Sequence, residues 1–239
     1  MTRKGIKHWL LIAMVTATGC LCAQENPAAR PGAELRLRIS SSSRAHHGSA
    51  PAVVWLEPQQ GTPALPFVST GHYTLLQKNR SFTPHLQVIP VGSVVNFPNA
   101  DPFFHNVFSL FEGKRFDLGL YEAGSSRSVT FSREGASYIF CNIHPEMSAV
   151  VLALSTPLYA LAGTDGTFDL HGIPPGDYRM HLWVEGVPQA ELEKMSRNLH
   201  FASSPIDLGT LNVTIAPAGH MDHTNKFGQP YDTHNQSPY

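Results

Sequence analysis

Ser137-Tyr138-Ile139-Phe140-Cys141-Asn142-Ile143-His144-Pro145-Glu146-Met147 is the stretch on which the reading of this chain turns. If Ser137 to Cys141 is a strand, Ile139 and Cys141 share one face while Tyr138 and Phe140 share the other. The sulfur then points inward at the strand's end. His144 and Met147 follow it with two intervening residues each, so a loop folding back over Cys141 brings a thiolate, an imidazole and a thioether together. That soft-donor set suits copper better than calcium or magnesium. Three donors from one short loop leave a metal open on its inner side. Asp101-Pro102-Phe103-Phe104-His105-Asn106-Val107-Phe108 is the candidate to close it, because His105 stands between a Pro-Phe-Phe wedge and a following strand. Both Phe rings are expected to exclude water.

Working outward, strand-like runs recur at short intervals. Tyr73 to Leu76, Leu86 to Pro90, Ser93 to Phe97, Asn106 to Leu110, Ser128 to Phe131, Ser137 to Cys141 and Ala149 to Leu154 are separated by Gly92, Pro98-Asn99, Gly113, Ala123-Gly124 and Glu134-Gly135. Strands at this spacing predict an all-β chain with a Greek-key sandwich over residues 72–155. Tyr121 to Ser125 and Ala190 to Arg197 are the only stretches read as short helices. Upstream, Leu35-Arg36-Leu37-Arg38-Ile39 alternates apolar and charged residues as a half-buried strand does, and Ala52 to Leu56 reads as a second strand. Downstream of Pro157, Thr164-Asp165-Gly166 and Ile173-Pro174-Pro175-Gly176-Asp177-Tyr178 are turns. Phe168 and Leu170, then Tyr178, Met180, Leu182 and Val184, alternate as strands, and Leu208 to Ile215 supplies the last one. Residues 217–239 are polar and aperiodic, which predicts a disordered tail.

Composition narrows the function. Of the 239 residues, 17 are Lys or Arg and 18 are Asp or Glu, so no basic field exists to hold nucleic acid. Arg3, Lys4 and Lys7 precede an apolar run, Trp9 to Val15, that is too short to cross a bilayer. Residues 1–23 therefore read as a signal peptide cleaved after Ala23, giving a periplasmic or secreted product with no transmembrane span. Ala17-Thr18-Gly19-Cys20 also loosely fits a lipoprotein processing site, leaving a lipid anchor at Cys20 open. Cleavage at Ala23 removes Cys20 and Cys22 and leaves Cys141 alone in an oxidising compartment, where a lone thiol needs a reason. His46-His47 and the tail residues His220, Met221, His223 and His234 lack anything to preorganise a site. His85, His171, His181 and His200 read as surface or satisfied core residues.

Phe104-His105-Asn106-Val107-Phe108 together with Cys141-Asn142-Ile143-His144-Pro145-Glu146-Met147 resembles the cupredoxins, the blue copper proteins of the amicyanin and plastocyanin kind, and in particular cupredoxin-like proteins labelled as methylamine utilisation proteins. The resemblance implies one type 1 copper held by His105, Cys141 and His144 in a trigonal plane, with Met147 as a long axial ligand. It implies that Asn106 braces the ligand loop. Glu146 departs from the apolar residue the family often has there; a carboxylate close by would favour Cu(II). Electrons would leave through an exposed edge of His144, docked to a redox protein over Pro102, Phe103, His144 and Pro145.

Thr164 to Phe168 with Gly172 to Tyr178 is similar to the second half of a carboxypeptidase regulatory-like, or transthyretin-like, sandwich, whose first half would be residues 33–58. The resulting expectation is a copper domain at 72–155 inserted between 33–58 and 157–216; a simple tandem is the alternative. No Gly-x-Ser-x-Gly elbow, phosphate loop, His-Glu-x-x-His helix or His-x-His pair is present in the sequence, so the chain is read as a non-enzyme, with service as an accessory to a redox enzyme as the exception. Three functions stay open at this point: an exported one-electron carrier; a copper-binding module for storage, delivery or sensing; and a metal-free structural or adhesion protein.

Overall fold

The structure, a computed structural model, describes residues 32–41, 50–63, 65, 71–110, 113–215 and 224–231. The expected signal peptide with Cys20 and Cys22, the pair His46-His47, and His220, Met221, His223 and His234 lie outside the described residues. The chain is all-β. Two strands come first, β1 (Ala33–Ser41) and β2 (Ala52–Pro58). A second group follows: β3 (His72–Thr74), β4 (Leu76–Lys78), β5 (Ser81–Thr83), β6 (Leu86–Pro90), β7 (Val94–Pro98), β8 (His105–Ser109), β9 (Phe116–Tyr121), β10 (Ser126–Thr130), β11 (Gly135–Cys141) and β12 (Ser148–Leu154). The last group is β13 (Tyr159–Leu161), β14 (Thr167–Ile173), β15 (Gly176–Val184), the short helix α1 (Gln189–Met195), β16 (Arg197–Phe201) and β17 (Ile206–Val213).

The first and last groups share their sheets. β1 lies between β14, antiparallel, and β17, parallel, while β2 lies between β13 and β15 with β16 beyond. Val53, Val54, Trp55 and Leu56 stand opposite Trp183, Leu182, His181 and Met180. The period-two pattern of β1 is what seats it: Ala33, Leu35, Leu37 and Ile39 are buried, whereas Arg36 and Arg38 are exposed. The middle group forms its own sheets, β6-β12-β11-β8-β9 and β10-β7-β3, with β4 and β5 paired as a separate two-stranded ribbon.

Strand β12 belongs to two cores at once. Its Ala149, Val151 and Ala153 pack with Ile139, Cys141 and Met147 inside the middle sandwich. Its Val150, Leu152 and Leu154 pack instead with Leu35, Leu56, Phe168 and Trp183 of the outer sandwich. Successive side chains point to opposite faces, so an unbroken apolar run such as Ala149 to Leu154 is what a strand buried on both sides requires. Tyr138, on the outer face of β11, receives the indole N–H of Trp183 at 3.3 Å. An imidazole–carboxylate pair adds a second tie, with His85 Nε2 2.6 Å from Glu185 and His85 Nδ1 3.1 Å from the carbonyl of Ser148.

Two expectations change, and β9 is a strand that sequence reading lacks. Tyr121 to Ser125 is not helical: Tyr121 closes β9, and a turn through Gly124 follows. β9 escapes a period-two reading because it carries a bulge. Asn106 pairs with Leu120 but Phe108 pairs with Asp117, so Leu118 and Gly119 together oppose Val107, with Gly119 at φ 68°. Lastly, the tail is not featureless throughout. Residues 224–231 contain a turn closed by Asn225 N–H to Gln229 O (2.8 Å) and Gly228 N–H to Asn225 O (2.9 Å). Asn225 Oδ1 also accepts the N–H groups of Phe227 and Gln229, the self-bonding that makes Asn a turn residue.

Candidate metal centre

β8 and β11 are antiparallel neighbours in which Val107 stands opposite Cys141 and Phe108 opposite Phe140. His105, two residues before Val107, therefore shares the inner face with Val107 and Cys141. Beyond Cys141 the chain folds back on itself: Cys141 N–H donates to Met147 O (3.2 Å) and Met147 N–H to His144 O (3.1 Å). Asn142 N–H donates to Asn106 O at 2.9 Å, which ties the loop to β8. Sequence neighbours and a strand 36 residues away thus converge on one point.

His105 Nδ1 lies 3.5 Å and His144 Nδ1 3.6 Å from Cys141 Sγ. The ligand atoms of these three buried residues all fall within 4.8 Å of one another. Metal bonds of about 2.0 to 2.3 Å meeting at tetrahedral or trigonal angles put sulfur and nitrogen roughly 3.6 to 3.8 Å apart. The two sulfur–nitrogen distances match that spacing. Met147 is fully buried in the cluster that holds Cys141. One thiol, two imidazoles and a thioether make up the local donor set.

Protonation favours ligation. His105 Nε2 is 3.0 Å from Asp101 Oδ2, and an ionised carboxylate only accepts, so Nε2 carries the proton and Nδ1 presents a lone pair toward the sulfur. Burial would raise the Asp101 carboxyl, but the N–H groups of Arg80 and Asn79, with His105, hold it below the usual carboxylate range. Burial lowers the His105 imidazole, opposed by Asp101. Burial, then the neighbouring His105, pushes His144 down to about 4. Both rings are accordingly neutral and able to ligate near neutral pH. The Cys141 thiol is pushed up by burial, against the pull of N–H groups of Asn106, Ile143 and His144 that face the sulfur. A metal that draws out the thiolate would release one proton on binding.

Not every expected residue stands where sequence reading assigned it. His144 is buried, only 7% exposed, rather than presenting an edge to solvent. The Phe103 ring covers it at 5.4 Å between centroids and meets His105 at 5.3 Å. Phe103 alone provides that cover; Phe104 is half exposed. Pro102 is exposed and Pro145 partly buried. Asn106 reaches the loop through its backbone, by its carbonyl to Asn142 and its N–H facing Cys141, while its side chain donates to Asp117 Oδ1 at 2.7 Å. Glu146 is exposed on the loop. His171, His181 and His200 each face a carboxylate, of Glu34, Glu57 and Asp177.

Sequence reasoning missed Asp101. Its signal was a carboxylate four residues before His105, inside the very segment chosen for its Phe residues. It also missed Lys226 and Tyr231, which approach the loop from a segment with no periodicity to betray them.

No family model matches the chain, and no curated protein matches it. Parts of the chain are similar to solved structures. A purple cupredoxin from Nitrosopumilus maritimus matches at 23% identity over 34% of this chain and 99% of its own, with a TM-score of 0.32. A Cu-containing nitrite reductase from Thermus scotoductus matches at 25% identity, covering 41% of this chain and 25% of its own, with a TM-score of 0.33. An oxidised amicyanin variant matches at 18% identity over 34% of this chain and 81% of its own, with a TM-score of 0.33. The chain spans a quarter of the nitrite reductase's length.

Proposed function

We propose that this protein is a blue copper protein of the cupredoxin type, exported to the periplasm or beyond, that carries single electrons between redox partners. His105 Nδ1, Cys141 Sγ and His144 Nδ1 would form the trigonal set, with the Met147 thioether as the weak axial ligand. One observation carries the reading: two neutral imidazoles direct their Nδ1 atoms at one buried sulfur, at 3.5 and 3.6 Å. Copper held there would exchange one electron. The residues around it serve that exchange by staying still, since a site held in one geometry needs little reorganisation between Cu(II) and Cu(I). Asp101 orients His105, Asn106 and the loop amides face the sulfur, and Phe103 excludes water.

In this reading residues 72–155 form the copper domain, inserted into a regulatory-like sandwich built from 33–58 and 157–216. The hydrogen bonding of β2 to β13 and β15 supports the insertion over a tandem. The outer sandwich would stiffen the copper domain and dock it to its surroundings.

The burial of His144 favours a second reading, a copper-holding module for storage or delivery, because an imidazole only 7% exposed and packed against Phe103 offers electrons little bare edge. Absorption and paramagnetic resonance spectra of the purified protein with added Cu(II) test both. An intense blue or purple form with narrow copper hyperfine splitting and fast electron self-exchange is the expected result. A colourless protein that retains Cu(I) would replace the carrier reading by the second, and failure to bind copper would remove both.

A further inference from the structure

Residues 225–231 reach the metal loop from the far end of the chain. Tyr231 OH donates to the carbonyl of Cys141 at 2.9 Å, across 90 positions of sequence. Lys226 N–H donates to Asn142 Oδ1 at 2.9 Å, across 84. Lys226 Nζ lies 2.8 Å from Asp117 Oδ2, and the same carboxylate accepts Asn106 Nδ2 (2.7 Å) and Gly119 N–H (2.9 Å) through Oδ1. One turn therefore touches the loop on two consecutive residues. It is tied through Asp117 to the residue that follows His105.

We infer that the turn at Asn225–Tyr231 is a strap that positions the copper ligands, with Tyr231 and Lys226 as positioning residues acting through the Cys141 carbonyl and Asn142. The physical reason lies in where the loop is otherwise weak. Between Cys141 and Met147 the main chain leaves β11, and its internal bonds at 3.1 and 3.2 Å are long. The carbonyl of Cys141 shares a rigid peptide plane with Asn142 N–H, which is bonded to Asn106 O. A donor on that carbonyl therefore fixes the peptide that aims the sulfur. Tyr231 suits this role because its ring is stiff and partly buried, and carries the donating O–H at its tip.

This inference rests on the copper reading, and its test separates the two. Tyr231→Phe and the double variant Asn225→Ala/Tyr231→Phe are made in the full chain; the second also removes Asn225 Oδ1, which accepts the N–H groups of Phe227 and Gln229 within the turn. Each is loaded with Cu(II), and its spectrum, reduction potential and rate of copper loss to a chelator are recorded. The expected result is a shifted sulfur-to-copper band and copper loss about 10-fold faster in the double variant, within the range for outer partners of metal ligands, with a smaller change in Tyr231→Phe. A role confined to folding would lower the melting temperature without moving the band or the potential, and that outcome would refute positioning. Amide hydrogen exchange over residues 141–147 is measured in parallel on the metal-free protein, with faster exchange expected in both variants. If the parent chain binds no copper, the copper reading fails while exchange still decides whether the strap holds the loop. An unchanged band, release rate and exchange pattern in the double variant would overturn the strap.

Discussion

The two cores of this molecule are built on opposite terms. The outer one, around Leu35, Leu56, Phe168, Trp183 and Phe201, is an apolar cluster contributed by both ends of the chain. The inner one, between β7 and β11, buries Cys141 and Met147 with His105 and Gln77 beside them. Every buried side-chain atom left without a partner among the described residues falls within the inner unit: Gln77 Oε1, Gln87 Oε1, Ser93 Oγ, Asn106 Oδ1 and Ser109 Oγ. Such atoms each cost stability, and a cluster of them marks a region shaped for something other than folding. The difference divides the molecule: the outer core is an apolar cluster, whereas the inner one holds buried polar groups at some cost in stability.

The largest test of that division is Cys141→Ser. It should abolish the visible copper band and weaken copper binding more than about 100-fold, beyond the effect of losing an outer partner, while the metal-free protein melts close to the parent. A matching collapse in metal-free stability would erase the contrast. Trp183→Ala addresses the other core. Losing a fully buried indole costs about 3 to 5 kcal/mol, read by denaturant unfolding of the metal-free protein, and should leave the copper spectrum of the folded fraction unmoved. A spectrum that shifts with it would mean that the cores are not separable in function.

Asp101→Asn sharpens the inner side. It keeps the shape but removes the carboxylate that sets the His105 tautomer, and should weaken copper binding about 10- to 100-fold in a chelator competition. The smallest effect concerns the seam. Bonding to Glu185 raises the His85 imidazole above its usual range, against the effect of burial. The pair therefore stabilises fully below about pH 6.5 and fades as pH rises through the raised value. With the His85 side chain 41% exposed, screening limits this to less than about 1 kcal/mol. Glu185→Gln should flatten the pH dependence of unfolding across that window.

Much of this was legible in the residues. The alternation of β1 and of Phe168 to Val184, and the double-sided run of β12, follow from which faces are buried. Cys141 and His144 announce themselves by spacing, and His105 by its wedge. What stayed hidden is what period-two reading cannot carry. A bulge at Gly119 shifts the pattern of β9, and the burial of His144, only 7% exposed, depends on how the rings around it pack in three dimensions. The docking of 224–231 depends on two side chains and a backbone amide, which leave no hydrophobic trace in sequence.

The two-sided burial of β12 has a practical corollary for anyone handling this molecule. Excising residues 72–155 as a minimal copper protein would bare Val150, Leu152 and Leu154, along with Leu86, Val88 and Tyr138, as a contiguous greasy wall. Such a fragment should self-associate or precipitate unless those positions are rewritten as polar. Parting residues 72–155 from the strands they pack on therefore means rewriting that wall first.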